Sequence, residues 1–75
     1  MKSEIYEILN VDKNSTQKEI REKYYKLSKV FHPDKQPAHL KDLSKIYFNK
    51  IETAYKVLIN PLSRFLYDSF NDYGI

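Results

Sequence analysis

The stretch Phe31-His32-Pro33-Asp34-Lys35 decides how this chain is organised, because it separates two long amphipathic segments. Proline fixes its own φ angle, has no N–H to donate and disfavours the helical conformation in the residue before it. The first long helix is therefore predicted to end near Phe31, with His32 extended. His32 and Asp34 would then flank a stiff turn and point at solvent. From the turn alone, an ordinary helix-ending turn is as good an interpretation as a recognition site.

The segment before this turn begins with the clearest helix start in the chain. Thr16-Gln17-Lys18-Glu19 has the form of a capping box, in which threonine is the N-cap and glutamate reaches back to it. A single apolar stripe at helical spacing predicts the buried face, which consists of Ile20, Tyr24, Leu27 and Phe31. The opposite face is predicted to be exposed and carries Lys18, Glu22, Tyr25, Lys26 and Lys29, with Arg21 on its flank.

The segment after the turn is predicted to be a second long helix that ends at about Ile59. Its core stripe consists of Phe48, Ile51, Tyr55 and Leu58, extended backwards by Leu40 or Leu43 and by Tyr47, with the small Ala54 beside it. Two long amphipathic helices joined by a short loop pack antiparallel. The turn would then lie at one tip of a helical hairpin.

Two shorter helices are predicted near the ends of the chain. Residues 4–9 have one apolar face, and Asn10 suits a left-handed stop. Asn60-Pro61 has the residues preferred at the N-cap and first position of a fourth helix. The apolar side of that helix is predicted to be Leu62, Phe65, Leu66 and Tyr67. The stretch from Asp68 onward is interpreted as a tail or the start of a linker, and the domain boundary is set at residues 1–70, with 71–75 outside it.

Composition limits the class of protein. The 75 residues contain no cysteine, so we expect one domain without disulfides, whose packing relies on seven tyrosines and four phenylalanines. The start of the chain lacks the apolar run of a signal peptide, and no segment approaches the length of a membrane span. We therefore expect a soluble protein in the cytoplasm, with the nucleus, the mitochondrion and the face of an organelle as open alternatives.

The net charge of +3 is concentrated in the centre of the chain, where residues 18–35 carry six Lys or Arg against three acidic residues. This distribution favours an acidic partner, although a solvated helix face explains it equally well. A small basic helical DNA-binding domain is the main alternative function. Against it, Glu22 lies in the middle of the basic face, and only Arg21 and Arg64 are arginines, whereas base readout relies on arginine, asparagine and glutamine.

Catalysis and metal binding are both disfavoured by the sequence. There is no cysteine nucleophile, and the nearest hydroxyls, Ser28 and Ser44, have no evident oxyanion hole. His32, Asp34 and His39 match no tetrahedral ligand spacing, and a single glycine leaves no phosphate-binding loop. We therefore predict no enzymatic activity, no cofactor and no metal.

Five motifs occur in a fixed order across about residues 4–70. They are Tyr6-Glu7-Ile8-Leu9, Tyr24-x-x-Leu27, Phe31-His32-Pro33-Asp34-Lys35, Phe48-x-x-Ile51-x-x-Ala54-Tyr55-x-Val57-Leu58 and Arg64-x-x-Tyr67-Asp68. In this order, with a His-Pro-Asp turn between two such helices, the chain resembles the J-domain, the defining module of DnaJ-type co-chaperones.

The resemblance implies a four-helix, all-α fold with an antiparallel hairpin of the two long helices and the His-Pro-Asp loop at its tip. It implies docking on a DnaK-type chaperone, of the seventy-kilodalton heat-shock class, in its ATP-bound state, and stimulation of ATP hydrolysis by that partner. We expect a monomer that binds no nucleic acid and makes no membrane contact. The implied partner-binding residues are His32, Pro33, Asp34, Lys35, Lys18, Arg21, Lys26 and Lys29.

Several positions depart from the family pattern. Glu22, Tyr25 and Val30 stand where basic residues are usual, so the docking face is less positive than in typical members. The Lys-Arg pair common near the start of the fourth helix is reduced to Arg64. A divergent J-like interaction domain without ATPase stimulation is therefore the second alternative.

Overall fold

The computed structural model describes the backbone of residues 4–72 and the side chains of residues 4–70. The chain forms four helices, which are α1 (Glu4–Leu9), α2 (Gln17–Phe31), α3 (Lys41–Ile59) and α4 (Pro61–Asp72). Two short 3₁₀ turns, Pro33–Lys35 and Ala38–Leu40, join α2 to α3, and residues 4–72 contain no strand. The prediction of an all-α, four-helix fold is confirmed.

The end of α1 is fixed by a left-handed residue, as predicted. Asn10 has a φ of 54°, a conformation that asparagine adopts more readily than most residues. The N–H of Asn10 donates to the carbonyl of Glu7, and the N–H of Val11 donates to the carbonyl of Tyr6, both at 3.0 Å. This pair of bonds is a Schellman motif, which satisfies the last carbonyls of the helix and turns the chain back.

The start and end of α2 also agree with the sequence. The Thr16 hydroxyl accepts from the Glu19 N–H at 3.1 Å, and the Glu19 carboxylate accepts from the Thr16 N–H at 2.8 Å. The hydrogen bond from the Thr16 backbone lowers the pKa of the Glu19 carboxyl below its usual value. At the other end, His32 leaves the helical region with a ψ of 126°.

Side chains at both ends of the hairpin tie α2 to α3. Ser44, near the start of α3, donates its hydroxyl proton to the carbonyl of Phe31, the last residue of α2, at 2.6 Å. Gln17, the first residue of α2, donates to the carbonyls of Leu58 at 2.9 Å and Ile59 at 2.8 Å, at the end of α3. Each helix therefore begins beside the end of the other, which confirms the antiparallel hairpin.

The core lies where the first three helices meet. Its buried apolar side chains are Tyr6, Leu9, Ile20, Ile51, Ala54 and Leu58. Around them pack partly buried side chains that include Tyr24, Leu27, Phe31, Tyr55 and Tyr67. The predicted stripe of α2 and the central part of the α3 stripe are confirmed. Burial of a leucine or isoleucine stabilises a fold by about 1.5–3 kcal/mol, so this small set dominates the stability of the domain.

The predicted backward extension of the α3 stripe is wrong. Leu43 is 66% exposed and Leu40 is 37% exposed, whereas the buried residue in the first turns of α3 is Ser44. The reason is the length of α1, which borders a groove with residues 49–54 of α3 and leaves the earlier turns uncovered. Tyr47 is also exposed, at 38%, although its ring contacts that of Phe31 with centroids 4.6 Å apart.

The start of α4 is capped as predicted, but the side of the helix that is buried differs from the predicted one. The Asn60 side chain accepts from the N–H groups of Leu62 at 2.9 Å and Ser63 at 3.1 Å. Leu62 and Phe65 are each 66% exposed, and Leu66 is largely exposed too, so the predicted apolar side is wrong except for Tyr67. The helix also continues to Asp72 through the predicted start of the tail, while residues 73–75 lie outside the described part.

Polar contacts, rather than leucines, hold α4 against the rest of the domain. The Arg64 guanidinium donates to the Tyr6 hydroxyl at 3.0 Å, and that hydroxyl donates to the Asp68 carboxylate at 2.8 Å. Arg64 also donates to the Gln17 side chain and to the carbonyls of Lys13 at 2.9 Å and Ser15 at 2.6 Å. Burial is the largest cause of the raised pKa of Tyr6. Arg64 thus connects α4 to α1, to the first loop and to the start of α2.

Candidate partner-binding surface

The turn at the hairpin tip is organised by its histidine. His32 Nδ1 accepts the backbone N–H of Asp34 at 3.2 Å, which ties the imidazole ring to the backbone of the turn. A carboxylate oxygen of Asp34 lies 3.8 Å from the same nitrogen, which is too far for a hydrogen bond. The Asp34 side chain is 87% exposed, so its carboxylate faces solvent at the tip.

The two polar residues of the turn differ in exposure. The expectation that both point at solvent holds for Asp34, but the His32 side chain is only 45% exposed. The edge of the His32 ring packs against Phe48 of α3, with centroids 5.5 Å apart. His32 therefore joins the turn to the hairpin, and Asp34 is the group that the turn presents.

Two residues that sequence reasoning did not assign to the site hold the turn in place. The Gln36 side chain donates to the carbonyl of Val30 at 2.8 Å, and the Ser44 hydroxyl donates to that of Phe31. Both carbonyls belong to the last turn of α2, where helices leave such groups without internal partners. The role of Ser44 could have been predicted from the sequence, because it is a polar residue on the core-facing side of α3, opposite the end of α2.

The structure places the predicted basic residues on the surface. Lys18, Arg21, Lys26 and Lys29 of α2 are exposed, and so is Lys35 in the 3₁₀ turn. Lys29 and Lys35 lie on either side of the His-Pro-Asp turn along the chain, whereas Lys18 lies at the far end of α2. Helical spacing gathers the α2 residues toward one side of the helix.

This basic face is interrupted by three residues. Glu22 is exposed within it, and Tyr25 and Val30 are 53% and 61% exposed. The face thus combines cations with an acid and with apolar groups, which reduces its positive potential.

Within residues 4–70, no three His, Asp or Glu side chains come together in an arrangement that would hold a metal ion. His39 is exposed in the second 3₁₀ turn. Among the described helices, none is both long and apolar enough to cross a membrane.

A His-Pro-Asp turn at the tip of an antiparallel hairpin, within four helices, is the arrangement of a J-domain, and comparison with known proteins agrees. The model of the DnaJ domain family matches residues 4–68. The chain is 44% identical over 97% of its length to the chaperone protein DnaJ of Thermotoga neapolitana, and 45% identical over 97% to that of Thermosipho melanesiensis. It is 39% identical over 96% to an uncharacterized J domain-containing protein of Schizosaccharomyces pombe. The chain belongs to the DnaJ domain family.

The chain spans only part of these relatives. It covers 20% of the Thermotoga neapolitana protein, 19% of the Thermosipho melanesiensis protein and 12% of the Schizosaccharomyces pombe protein. The similarity therefore concerns one module of each relative.

Proposed function

We propose that this domain is a co-chaperone module that docks on a DnaK-type chaperone in its ATP-bound state and stimulates ATP hydrolysis by that partner. Membership of the DnaJ domain family supports this proposal. The observation that carries it is the exposed Asp34 carboxylate, held on a hydrogen-bonded turn at the hairpin tip beside the basic residues of α2.

The turn supplies the specific contact. A carboxylate in this position is an acceptor for a charge-assisted hydrogen bond, for which an arginine of the partner is the best donor. Pro33 and the His32–Asp34 hydrogen bond fix the turn before the partner arrives, so little conformational entropy is lost on binding.

The basic residues of α2 guide the encounter. Exposed cations attract an acidic surface over about 10 Å at moderate salt and act mainly on the association rate. Lys18, Arg21, Lys26, Lys29 and Lys35 would perform this role. Each exposed ion pair adds little affinity by itself, so the turn rather than the charges determines whether the partner responds.

Stimulation requires no catalytic group in this domain. A binding module changes the activity of an enzyme when it binds one conformation of that enzyme more tightly than another. We propose that this domain binds the hydrolysis-competent conformation of the chaperone preferentially, and that the chaperone supplies the nucleotide site.

Single-turnover ATP hydrolysis by a purified DnaK-type chaperone tests the proposal. We expect the domain to raise the hydrolysis rate and the Asp34→Asn variant to leave it at the basal value. Asp42→Asn is the matched control, because Asp42 is an exposed aspartate in the first turn of α3 and its replacement removes the same charge. Equal stimulation by both variants would contradict a role of the turn.

The basic face of α2 also supports the alternative function of DNA binding, which a binding experiment can test. A DNA-binding domain would bind duplex DNA with an affinity that falls steeply and linearly with the logarithm of the salt concentration. We expect no such binding, because Glu22 would face the phosphates. Salt-dependent duplex binding without chaperone stimulation would favour the alternative.

A further inference from the structure

The first turns of α3 carry apolar side chains that nothing in the described part of the chain covers. Leu43 is 66% exposed and Ile46 is 57% exposed, and Leu40 and Tyr47 are exposed as well. They lie directly after the His-Pro-Asp turn, on the end of α3 that α1 does not reach. Contiguous exposed apolar groups of this kind mark interaction sites.

Three of these side chains, Leu40, Leu43 and Tyr47, line a small pocket, which we call the tip pocket. It has a volume of about 180 Å³ and is lined by Phe31, Gln36, Leu40, Leu43, Ser44 and Tyr47. Its polar side chains already have partners, since Ser44 donates to the Phe31 carbonyl and Gln36 donates to the Val30 carbonyl. The pocket therefore offers apolar surface. An apolar cavity of about 150 Å³ holds benzene, so the tip pocket suits one leucine, methionine or phenylalanine side chain.

The tip pocket is continuous with the turn. Gln36 lines it and also follows Asp34 by two residues, so the chain that presents the carboxylate forms part of the pocket wall. Phe31 lines the pocket and ends α2. The pocket thus borders the turn on both flanks, at Phe31 before it and at Gln36 after it.

We propose that the tip pocket receives an apolar side chain of the same DnaK-type chaperone that contacts Asp34. This inference rests on the proposed function and specifies a second part of the same interface. Glu22 weakens the electrostatic attraction between the basic face and an acidic partner. Burial of an apolar side chain in the tip pocket would add affinity that salt does not screen, and would so compensate for this loss.

Two leucines provide a matched test, because Leu43 and Leu62 are both 66% exposed and only Leu43 lines the tip pocket. The measurement is single-turnover ATP hydrolysis by a DnaK-type chaperone at increasing concentrations of domain. For Leu43→Ala we expect the half-maximal concentration to rise about tenfold, the usual effect of losing much of a buried leucine contact. The maximal rate should stay unchanged because Asp34 is intact, and Leu62→Ala should match the wild type.

A second readout follows the pocket directly. The chain has no cysteine, so Leu43→Cys carries a single environment-sensitive fluorophore, with Leu62→Cys as the control. We expect the Leu43→Cys emission to shift to the blue when ATP-bound chaperone is added, and the Leu62→Cys emission to stay constant. Melting curves by circular dichroism should match the wild type for both alanine variants, since both side chains are exposed.

The outcomes separate the two proposals. If the wild type stimulates hydrolysis and Leu43→Ala titrates like it, the tip-pocket proposal fails and the proposed function stands. If the folded wild type gives no stimulation, both fail. A blue shift of the labelled Leu43→Cys variant that depends on its own concentration would make a second copy the occupant and would also overturn the tip-pocket proposal.

Discussion

The rings of Tyr24 and Tyr55 stack nearly parallel, with centroids 3.9 Å apart and an angle of 10° between their planes. Tyr24 lies in the middle of α2 and Tyr55 in the second half of α3, so the stack joins the two helices between the hydrogen bonds at the hairpin ends. Burial is the main cause of the raised pKa of Tyr24. Aromatic contacts of this kind add about 0.5–1.5 kcal/mol beyond the area they bury.

Removing one ring of this stack should destabilise the domain strongly. We expect Tyr55→Ala to lower the free energy of unfolding by about 2–5 kcal/mol, which is a large part of the stability of so small a fold. Phe65→Ala is the control, because Phe65 is 66% exposed and its replacement should cost at most about 0.5 kcal/mol. Urea unfolding followed by circular dichroism gives both values, and similar losses in the two variants would contradict the importance of the stack.

The attachment of α4 should depend on the shape of one guanidinium. Arg64 donates to four groups from three parts of the chain, and a lysine cannot reproduce that fork. We expect Arg64→Lys to lower the free energy of unfolding by about 1–3 kcal/mol. Arg21 is exposed, so Arg21→Lys should leave the unfolding midpoint in urea within error of the wild type.

The capping box of α2 should make the stability of the folded domain decrease as the pH falls into the acid range. The Thr16 backbone bond lowers the pKa of Glu19 in the folded state, so this carboxylate stabilises the fold above its unfolded pKa of about 4.3. That contribution is lost as the pH falls through the folded pKa. We expect Glu19→Ala to melt at a lower temperature than the wild type at pH 7, and the gap to narrow toward pH 3. A gap that is constant with pH would exclude a contribution from the charge.

The acidic residue within the basic face should weaken docking. We expect Glu22→Lys to lower the domain concentration that gives half-maximal chaperone stimulation by roughly threefold at low salt, and the gain to shrink at high salt. Glu4→Lys makes the same change in net charge at the exposed start of α1, in a groove that α1 shares with α3, and should have a smaller effect. Equal effects would mean that total charge, rather than the composition of the α2 face, controls docking.

Ser44 should matter for the turn as well as for stability. Ser44→Ala removes the hydroxyl that reaches the Phe31 carbonyl across the hairpin, which should cost about 1 kcal/mol and reduce maximal chaperone stimulation. Ser28 provides the control, because its hydroxyl donates to the Tyr25 carbonyl within the same helix. Ser28→Ala should keep full stimulation, and a loss equal to that of Ser44→Ala would argue against a specific role at the tip.

Local features of the fold could be predicted from the sequence because each depends on a few neighbouring residues. The capping box at Thr16, the left-handed Asn10 and the cap at Asn60 are of this kind, and so is the apolar stripe of α2. The antiparallel hairpin followed from two stripes and a short loop. The composition of the turn pointed to Asp34, and the structure adds how His32 holds it.

The errors arose where burial depends on which helix covers which. A stripe on α3 looks the same whether or not another helix lies over it, so the exposure of Leu43 follows only from the shortness of α1. On α4, the apolar side chains indicated the wrong buried face. The hydrogen bond between Arg64 and Tyr6 directs a different side of the helix toward the rest of the domain. The partner-binding roles of the basic residues stay predictions.

The hydrogen bonds of Gln17 and Ser44 connect each helix of the hairpin to backbone carbonyls of the other, with two bonds at one end and one at the other. Sliding one helix by a single residue, a rise of about 1.5 Å, would break the bonds at both ends together. The hairpin is therefore a spacer of constant length, in which Lys18 and the turn stay about 20 Å apart along the helix axis. Under the proposed function, the chaperone would present its acidic surface and its group for Asp34 at that separation, so that spacing as well as charge would select the partner.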